Sequence, residues 1–243
     1  MNYYDEYIER VQWKPAEKVH SWVASQLARE FDKRTDLQGK VILEIGTGMG
    51  RLANALQGVE AVLYKGIEPN SKLAKFSRSL GYDILEQELP NLSKNFQNKF
   101  DGVISLHVLE HAPTYLDARR WLEEMIRVTK PGGYILVATP DIRDYGKYFY
   151  DSDWSHGYPT TPARVTQIFN DLKVRVKFSG SMHLGSTTVI AAVVAHFISF
   201  FIPTRLVNFV TMRLVKRPLA SGIKIALLWG TVIVVAQKPE EST

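Results

Sequence analysis

One stretch constrains this chain more than any other: Val41-Ile-Leu-Glu-Ile-Gly-Thr-Gly-Met-Gly-Arg51. Val41 to Ile45 is an apolar, β-branched run and reads as a buried strand. It stops at three glycines in alternate positions, Gly46, Gly48 and Gly50, and a helical segment from Arg51 to Gln57 follows. A strand, a glycine turn and a helix in that order let backbone approach a nucleotide-like ligand. The glycines accept positive φ and leave room where a Cβ would clash.

Two acids sharpen the reading. Glu44 lies inside the strand, and Glu68 ends a second apolar run from Val62 to Ile67, 20 residues after Gly48. An acid at such a strand end accepts hydrogen bonds from ribose hydroxyls. The spacing Gly46-x-Gly48-x-Gly50 departs from the dinucleotide pattern G-x-G-x-x-G, which argues against a diphosphate ligand.

E-x-G-x-G-x-G followed by a strand-end acid resembles motif I and its sequel in class I S-adenosyl-L-methionine (SAM) dependent methyltransferases. The pattern continues downstream. Phe100-Asp-Gly-Val103 opens a strand, Leu109-Glu-His111 follows it, and Lys130-Pro-Gly-Gly133 precedes another strand from Tyr134 to Ala138. These are similar to the small-molecule branch of that family (type 11/12-like). The resemblance covers roughly residues 40 to 178 plus the last strand. It implies an α/β, Rossmann-like doubly wound seven-stranded sheet, order 3-2-1-4-5-7-6, with the last strand antiparallel. It also implies SAM as cofactor, held by Glu44, Gly46, Thr47, Gly48, Gly50, Glu68, Pro69 and Leu106. Glu86 and Gln87, after a short third strand Tyr82–Leu85, are expected near the adenine.

Residues 1–39 form an N-terminal helical extension in this reading, with Val19, Trp22, Val23, Leu27 and Phe31 at helical spacing. It covers a sheet edge, or acts as a lid that brings Tyr3, Tyr4 and Tyr7 near the cofactor. Ser71 is the expected N-cap of the helix after Glu68, and Thr161-Pro162 the expected start of a later one. The methyltransferase domain takes 40–243, with an apolar and basic insertion at 184–228.

The insertion is the departure from the family pattern. About 50 residues separate the sixth strand, Val174–Phe178, from the seventh, Thr231–Ala236, more than a hairpin loop needs. Between Leu172 and Pro239 there is no Asp or Glu, and nine of the chain's 30 basic residues lie there. The net charge of +5 therefore belongs to this part, because the remainder holds 21 basic against 25 acidic residues. Ser186 to Pro203 is apolar, with His196 near its middle, and Arg205 to Arg217 and Leu219 to Trp229 continue the pattern. A monotopic element on an anionic membrane surface is the preferred reading. A single-pass anchor would put the last two strands on opposite sides of a bilayer. A face packed on a second protomer, giving a homodimer, is the other reading. Basic residues set among large aliphatics argue against nucleic acid.

There is no cysteine, so disulfides and thiolate chemistry are excluded. The polar, acidic start Met1-Asn-Tyr-Tyr-Asp-Glu6 is not a signal peptide. The chain is expected in the cytoplasm, peripheral on the inner face of a membrane. SAM carries an activated methyl, so the protein must align an acceptor and remove a proton if that acceptor is a hydroxyl. His111 and His156 are the favoured bases, with His107 beside them. Tyr148, Tyr150, Trp154 and Tyr158, in an aromatic loop, either line an apolar or sugar-stacking acceptor pocket or pack the loop itself, and Asp141 and Asp144 are available to bind acceptor hydroxyls or are simply exposed loop acids. His107-x-x-Glu110-His111 resembles the E-x-x-E-H cluster of metal-dependent relatives, but its first position is histidine, and no metal is assigned. The expected activity is methyl transfer to an oxygen of a lipid, a lipid-linked glycan or another membrane-associated small molecule. An RNA methyltransferase and a non-catalytic membrane adaptor that keeps the fold are the competing readings.

Overall fold

A computed structural model describes residues 14–202, 209–210, 213 and 230–240. The elements run α1 (Lys14–Thr35), β1 (Val41–Ile45), α2 (Arg51–Leu56), β2 (Leu63–Ile67), α3 (Ser71–Ser79), β3 (Ile84–Leu85) and β4 (Phe100–Leu106). They continue α4 (Tyr115–Val128), β5 (Thr129–Pro140), α5 (Ile142–Tyr145), α6 (Tyr148–Ser152), α7 (Pro162–Asp171), β6 (Arg175–Met182), α8 (Val189–Phe201) and β7 (Thr231–Gln237). The seven strands order as β3-β2-β1-β4-β5-β7-β6, and β7 is antiparallel to both neighbours. The expected sheet is thus the observed one.

Strand periodicity divides the sheet's side chains between two cores. Leu43, Ile45, Val103, Ile135, Val137, Val232 and Val234 pack with Leu122 and Met125 of α4 and Val165 and Phe169 of α7. Ile42, Ile104, Leu136, Ile233 and Val235 pack with Leu27 and Phe31 of α1 and Leu52 and Leu56 of α2. The N-terminal helix is therefore part of the sheet's second face, because its leucine and phenylalanine stripe has a core to bury in. Arg51 strengthens the joint by donating to Glu17 at 2.7 Å.

Local chemistry sets the helix starts. Thr161 caps α7 by accepting the Arg164 amide, with Pro162 in the first helical position, as expected. Before α3 the cap is Asn70 rather than Ser71, since the Asn70 side chain accepts the amides of Lys72 and Leu73 at 3.0 and 3.1 Å. The third strand shrinks to Ile84–Leu85, and the fifth lengthens to Thr129–Pro140.

The insertion leaves and re-enters the sheet at one edge. Met182, the last residue of β6, is paired with Thr231, which is paired with Pro140 at the end of β5. This is the carboxyl edge of the parallel strands, where β1 gives way to Gly46 and β4 to His107. Its described helix, α8, leaves Val189, Val193, Phe197, Phe200 and Phe201 exposed, Phe200 to 84%. No described helix is long and apolar enough to cross a membrane. Tyr3, Tyr4 and Tyr7, and the apolar stretch Leu219–Trp229, lie outside the described residues.

Candidate functional site

A cavity of about 710 Å³ opens at the carboxyl edge of the sheet. Its floor is the glycine turn. Gly46, Gly48 and Gly50 all have positive φ (76°, 54° and 73°), and a Cβ at Gly46 would lie 2.3 Å from Val108 Cγ2. The turn is pinned to β2, because the amides of Gly46 and Thr47 both donate to the Ile67 carbonyl, at 2.8 and 3.0 Å.

The two acids differ in state. Glu68 accepts the Gly48 amide on Oε2 at 2.8 Å and the Asn70 amide on Oε1 at 2.9 Å. Each oxygen keeps a second lone pair for a ligand hydroxyl. Burial pushes the Glu68 carboxyl up, and the two amides partly offset it. Glu44 is fully enclosed and accepts from the Tyr64 hydroxyl. Burial raises its pKa to about 8, against the opposing Tyr64 hydrogen bond and with a further push from Glu68.

Glu44, Gly46, Thr47, Gly48, Glu68, Pro69, Gln87 and Leu106 all line the cavity. Two expected cofactor residues do not. Gly50 packs under Tyr82, and Glu86 is exposed, with its carboxylate taken by Arg78 and Ser71. Glu88 lines the cavity in its place. After the two-residue strand, Gln87 and the exposed Glu88, not Glu86, border the cavity. Sequence reasoning also missed His20, Val23, Ala24 and Leu27, which α1 brings to the cavity, and Asn70, whose cap position after Glu68-Pro69 was the available signal.

All three expected histidines line the cavity. His107 follows β4 with φ +54°, a costly conformation for a residue with a Cβ. Its Nδ1 lies 3.3 Å from Glu110 Oε1, and Thr139 donates to the other Glu110 oxygen at 2.9 Å. Burial pushes the Glu110 carboxyl up, but the His107 hydrogen bond and the charges of His107 and His111 outweigh it and hold the pKa low.

His111 and His156 have fixed tautomers. The Ser155 hydroxyl gives its proton to Asp153 Oδ1 at 2.6 Å, so at 2.8 Å it can only accept from His111 Nδ1–H. His156 Nδ1 faces the Phe149 carbonyl and must also carry the proton. In its neutral form each imidazole then has a bare Nε2, the form a general base needs. Their ring centroids are 5.0 Å apart. Glu110, His111 and His156 each offer a ligand atom, and these lie within 4.8 Å of one another, so the set could also hold a borderline divalent ion. Asp153 and Ser155, which orient His111, were not singled out from sequence; the only signal was their place beside His156 in the loop.

The aromatic loop behaves differently from expectation. Tyr148, Tyr150, Trp154 and Tyr158 do not line the cavity, whereas Tyr145 and Trp121 do. Trp154 is 76% exposed, and Tyr158 is buried beneath Arg164. Short helices α5 and α6 turn the loop's aromatics alternately into the core and outward. Asp141 and Asp144 do not reach the cavity either. Asp141 caps α5 and pairs with Arg143, and Asp144 joins His183 and His196.

The profile of the family described as "Methyltransferase domain" matches residues 12–177. The ubiquinone biosynthesis O-methyltransferase of Thiobacillus denitrificans is 32% identical over 119 residues, which are 46% of this chain and 49% of that protein. The tRNA (carboxymethyluridine(34)-5-O)-methyltransferase of Arabidopsis thaliana is 31% identical over 100 residues, 41% of this chain and 24% of that one. The chain thus spans at most about half the length of these two relatives. A SAM-dependent methyltransferase of Archaeoglobus fulgidus superposes with a TM-score of 0.63 at 18% identity, covering 98% of this chain and 100% of that structure, a likeness of fold.

Proposed function

The chain belongs to the methyltransferase-domain family, and on that premise we propose that it moves a methyl group from SAM to an oxygen of a membrane-associated small molecule. One observation carries the acceptor class: the exposed apolar face of α8 stands on the same edge of the sheet as the cavity mouth. A helix with Phe197, Phe200 and Phe201 outward can lie in a bilayer interface and present the mouth to an acceptor there. The positive charge and absence of acids around the insertion favour an anionic surface.

In this reading the glycine turn passes beside the methionine part of SAM and Glu68 accepts the ribose hydroxyls. The sulfonium already activates the methyl, so the protein's task is alignment and exclusion of water. His111 Nε2 takes the acceptor's proton while Ser155 and Asp153 hold the ring. His156 stands beside it, with its ring centroid 5.0 Å away. The relatives named for O-methylation support transfer to oxygen, and they divide between a quinone pathway and a tRNA.

The test is transfer of label from methyl-tritiated SAM to three pools: a lipid extract, an aqueous metabolite extract and total RNA. Label in an alkali-stable lipid product is expected. Label in RNA alone, with binding that weakens steeply as salt rises, would replace the lipid reading with the nucleic-acid one. No SAM binding at all would leave the adaptor reading.

A further inference from the structure

A second cluster lies away from the catalytic histidines. Asp144, on the short helix α5 after β5, meets His183, just past β6, and His196 on α8. His183 Nε2 is 2.8 Å from Asp144 Oδ2, and His196 Nε2 is 3.1 Å from Asp144 Oδ1. The Gly230 amide, immediately before β7, donates to Asp144 Oδ2 at 2.7 Å. One carboxylate therefore gathers the start of the insertion, its described helix and its return point.

The hydrogen-bond chemistry asks for a cation. His196 Nδ1 is 2.7 Å from the Ala192 carbonyl, so it must carry a proton. Its Nε2 then faces a carboxylate oxygen, and a neutral ring would set a lone pair against a lone pair. Only an added proton or a metal ion removes that conflict. His183 is buried, and its Nδ1 has no partner among the described residues, so its proton can shift to Nδ1 without breaking another hydrogen bond. The three ligand atoms lie within 4.8 Å of one another. An ion with bonds of ~2.0–2.1 Å in tetrahedral geometry separates its ligands by ~3.3 Å; the two histidine–Asp144 distances, 2.8 and 3.1 Å, lie near that value, and the whole set closes within 4.8 Å. The His196 side chain is 58% exposed, which leaves an entry path and a side for a water ligand. Gly230 is needed for the approach, since a Cβ there would lie 2.2 Å from Asp144 Oδ2.

We propose that Asp144, His183 and His196 form a binding site for a divalent transition ion of the zinc class, which staples the insertion to the carboxyl edge of the sheet. Two imidazoles and one carboxylate suit a borderline ion better than magnesium or calcium. The role is structural: the ion holds the base of α8 while its apolar face stays outward.

The experiment loads chelator-treated full-length protein with Co²⁺ alone and then Zn²⁺ alone. Expected is a Co²⁺ visible absorption that Asp144→Asn and His196→Gln abolish and His156→Gln keeps, with a Zn²⁺-dependent rise in Tm that His196→Gln also loses. Each variant must still bind SAM, which reports an intact fold; His196, being largely exposed, is the substitution least able to disturb it. Absorption that survives His196→Gln, or that only His156→Gln removes, would place the ion in the cavity instead and overturn the proposal. So would absence of Co²⁺ binding with an NMR titration showing His196 as an imidazolium, because a proton then supplies the missing charge.

Discussion

Glu68 accepts the Gly48 amide at 2.8 Å, so the end of β2 is tied to the crest of the turn that follows β1. Two elements whose sequences are 20 residues apart thereby present one polar surface to the cavity. Glu68→Ala removes both that tie and the acceptor proposed for the ribose hydroxyls. A hydrogen bond to a charged group is worth about 1.5–3 kcal/mol, so SAM should bind about 10- to 100-fold more weakly. Calorimetric titration checks this; equal affinity in the variant would remove Glu68 from the cofactor site.

The His111–Ser155–Asp153 relay makes a prediction about rate. His111→Gln should lower kcat by about 10²–10⁴ with little change in SAM affinity, the loss expected for a general base. Ser155→Ala should cost less, since it frees the tautomer without deleting the imidazole. If His156→Gln shows the large loss and His111→Gln does not, the base is the neighbouring His156.

Glu44 makes a prediction about pH. Its carboxyl titrates near 4.5 when unfolded and near 8 in the fold, where burial keeps it protonated. Between those values the native state holds a proton that the unfolded chain has released. Its contribution is therefore full below about pH 4.5 and is lost as pH rises through 8. Ligand-free protein should lose stability to urea between pH 5 and 8, and Glu44→Gln should flatten that part of the profile. An unchanged slope in the variant would show that another group is responsible.

The exposed face of α8 makes a prediction about membranes. Burying a phenylalanine is worth about 1.5–3 kcal/mol. The double change Phe197→Ser and Phe200→Ser should therefore reduce partition onto anionic vesicles at least about 100-fold. SAM binding should be unaffected. Co-sedimentation measures the first and calorimetry the second; equal sedimentation of both proteins would mean the face meets another partner.

Much of the fold was legible because its signals are local. The run Val41–Ile45, the three glycines and the acid at Glu68 encode strand, turn and strand end within one short stretch, and backbone sterics translate them directly into φ and burial. The histidines after β4 were legible for the same reason, since a strand end at the carboxyl edge determines where the next residues go. Side chains whose role depends on what packs opposite were not. Glu86 was expected inward and lies outward, because a two-residue strand and a nearby Arg78 decide its direction. The loop aromatics were expected in the cavity, yet two short helices divide them between core and surface.

The sequence by itself determined the sheet, the glycine turn and the apolar character of the insertion, because periodicity, glycine and charge act over a few residues. Only the tertiary structure decided that α1 would reach the cavity, that Ser155 would fix the proton on His111, and that Asp144 would gather His183, His196 and Gly230 from across the chain. Hydrogen bonds and ion sites depend on distances of a few ångströms between distant segments, and packing alone sets those distances.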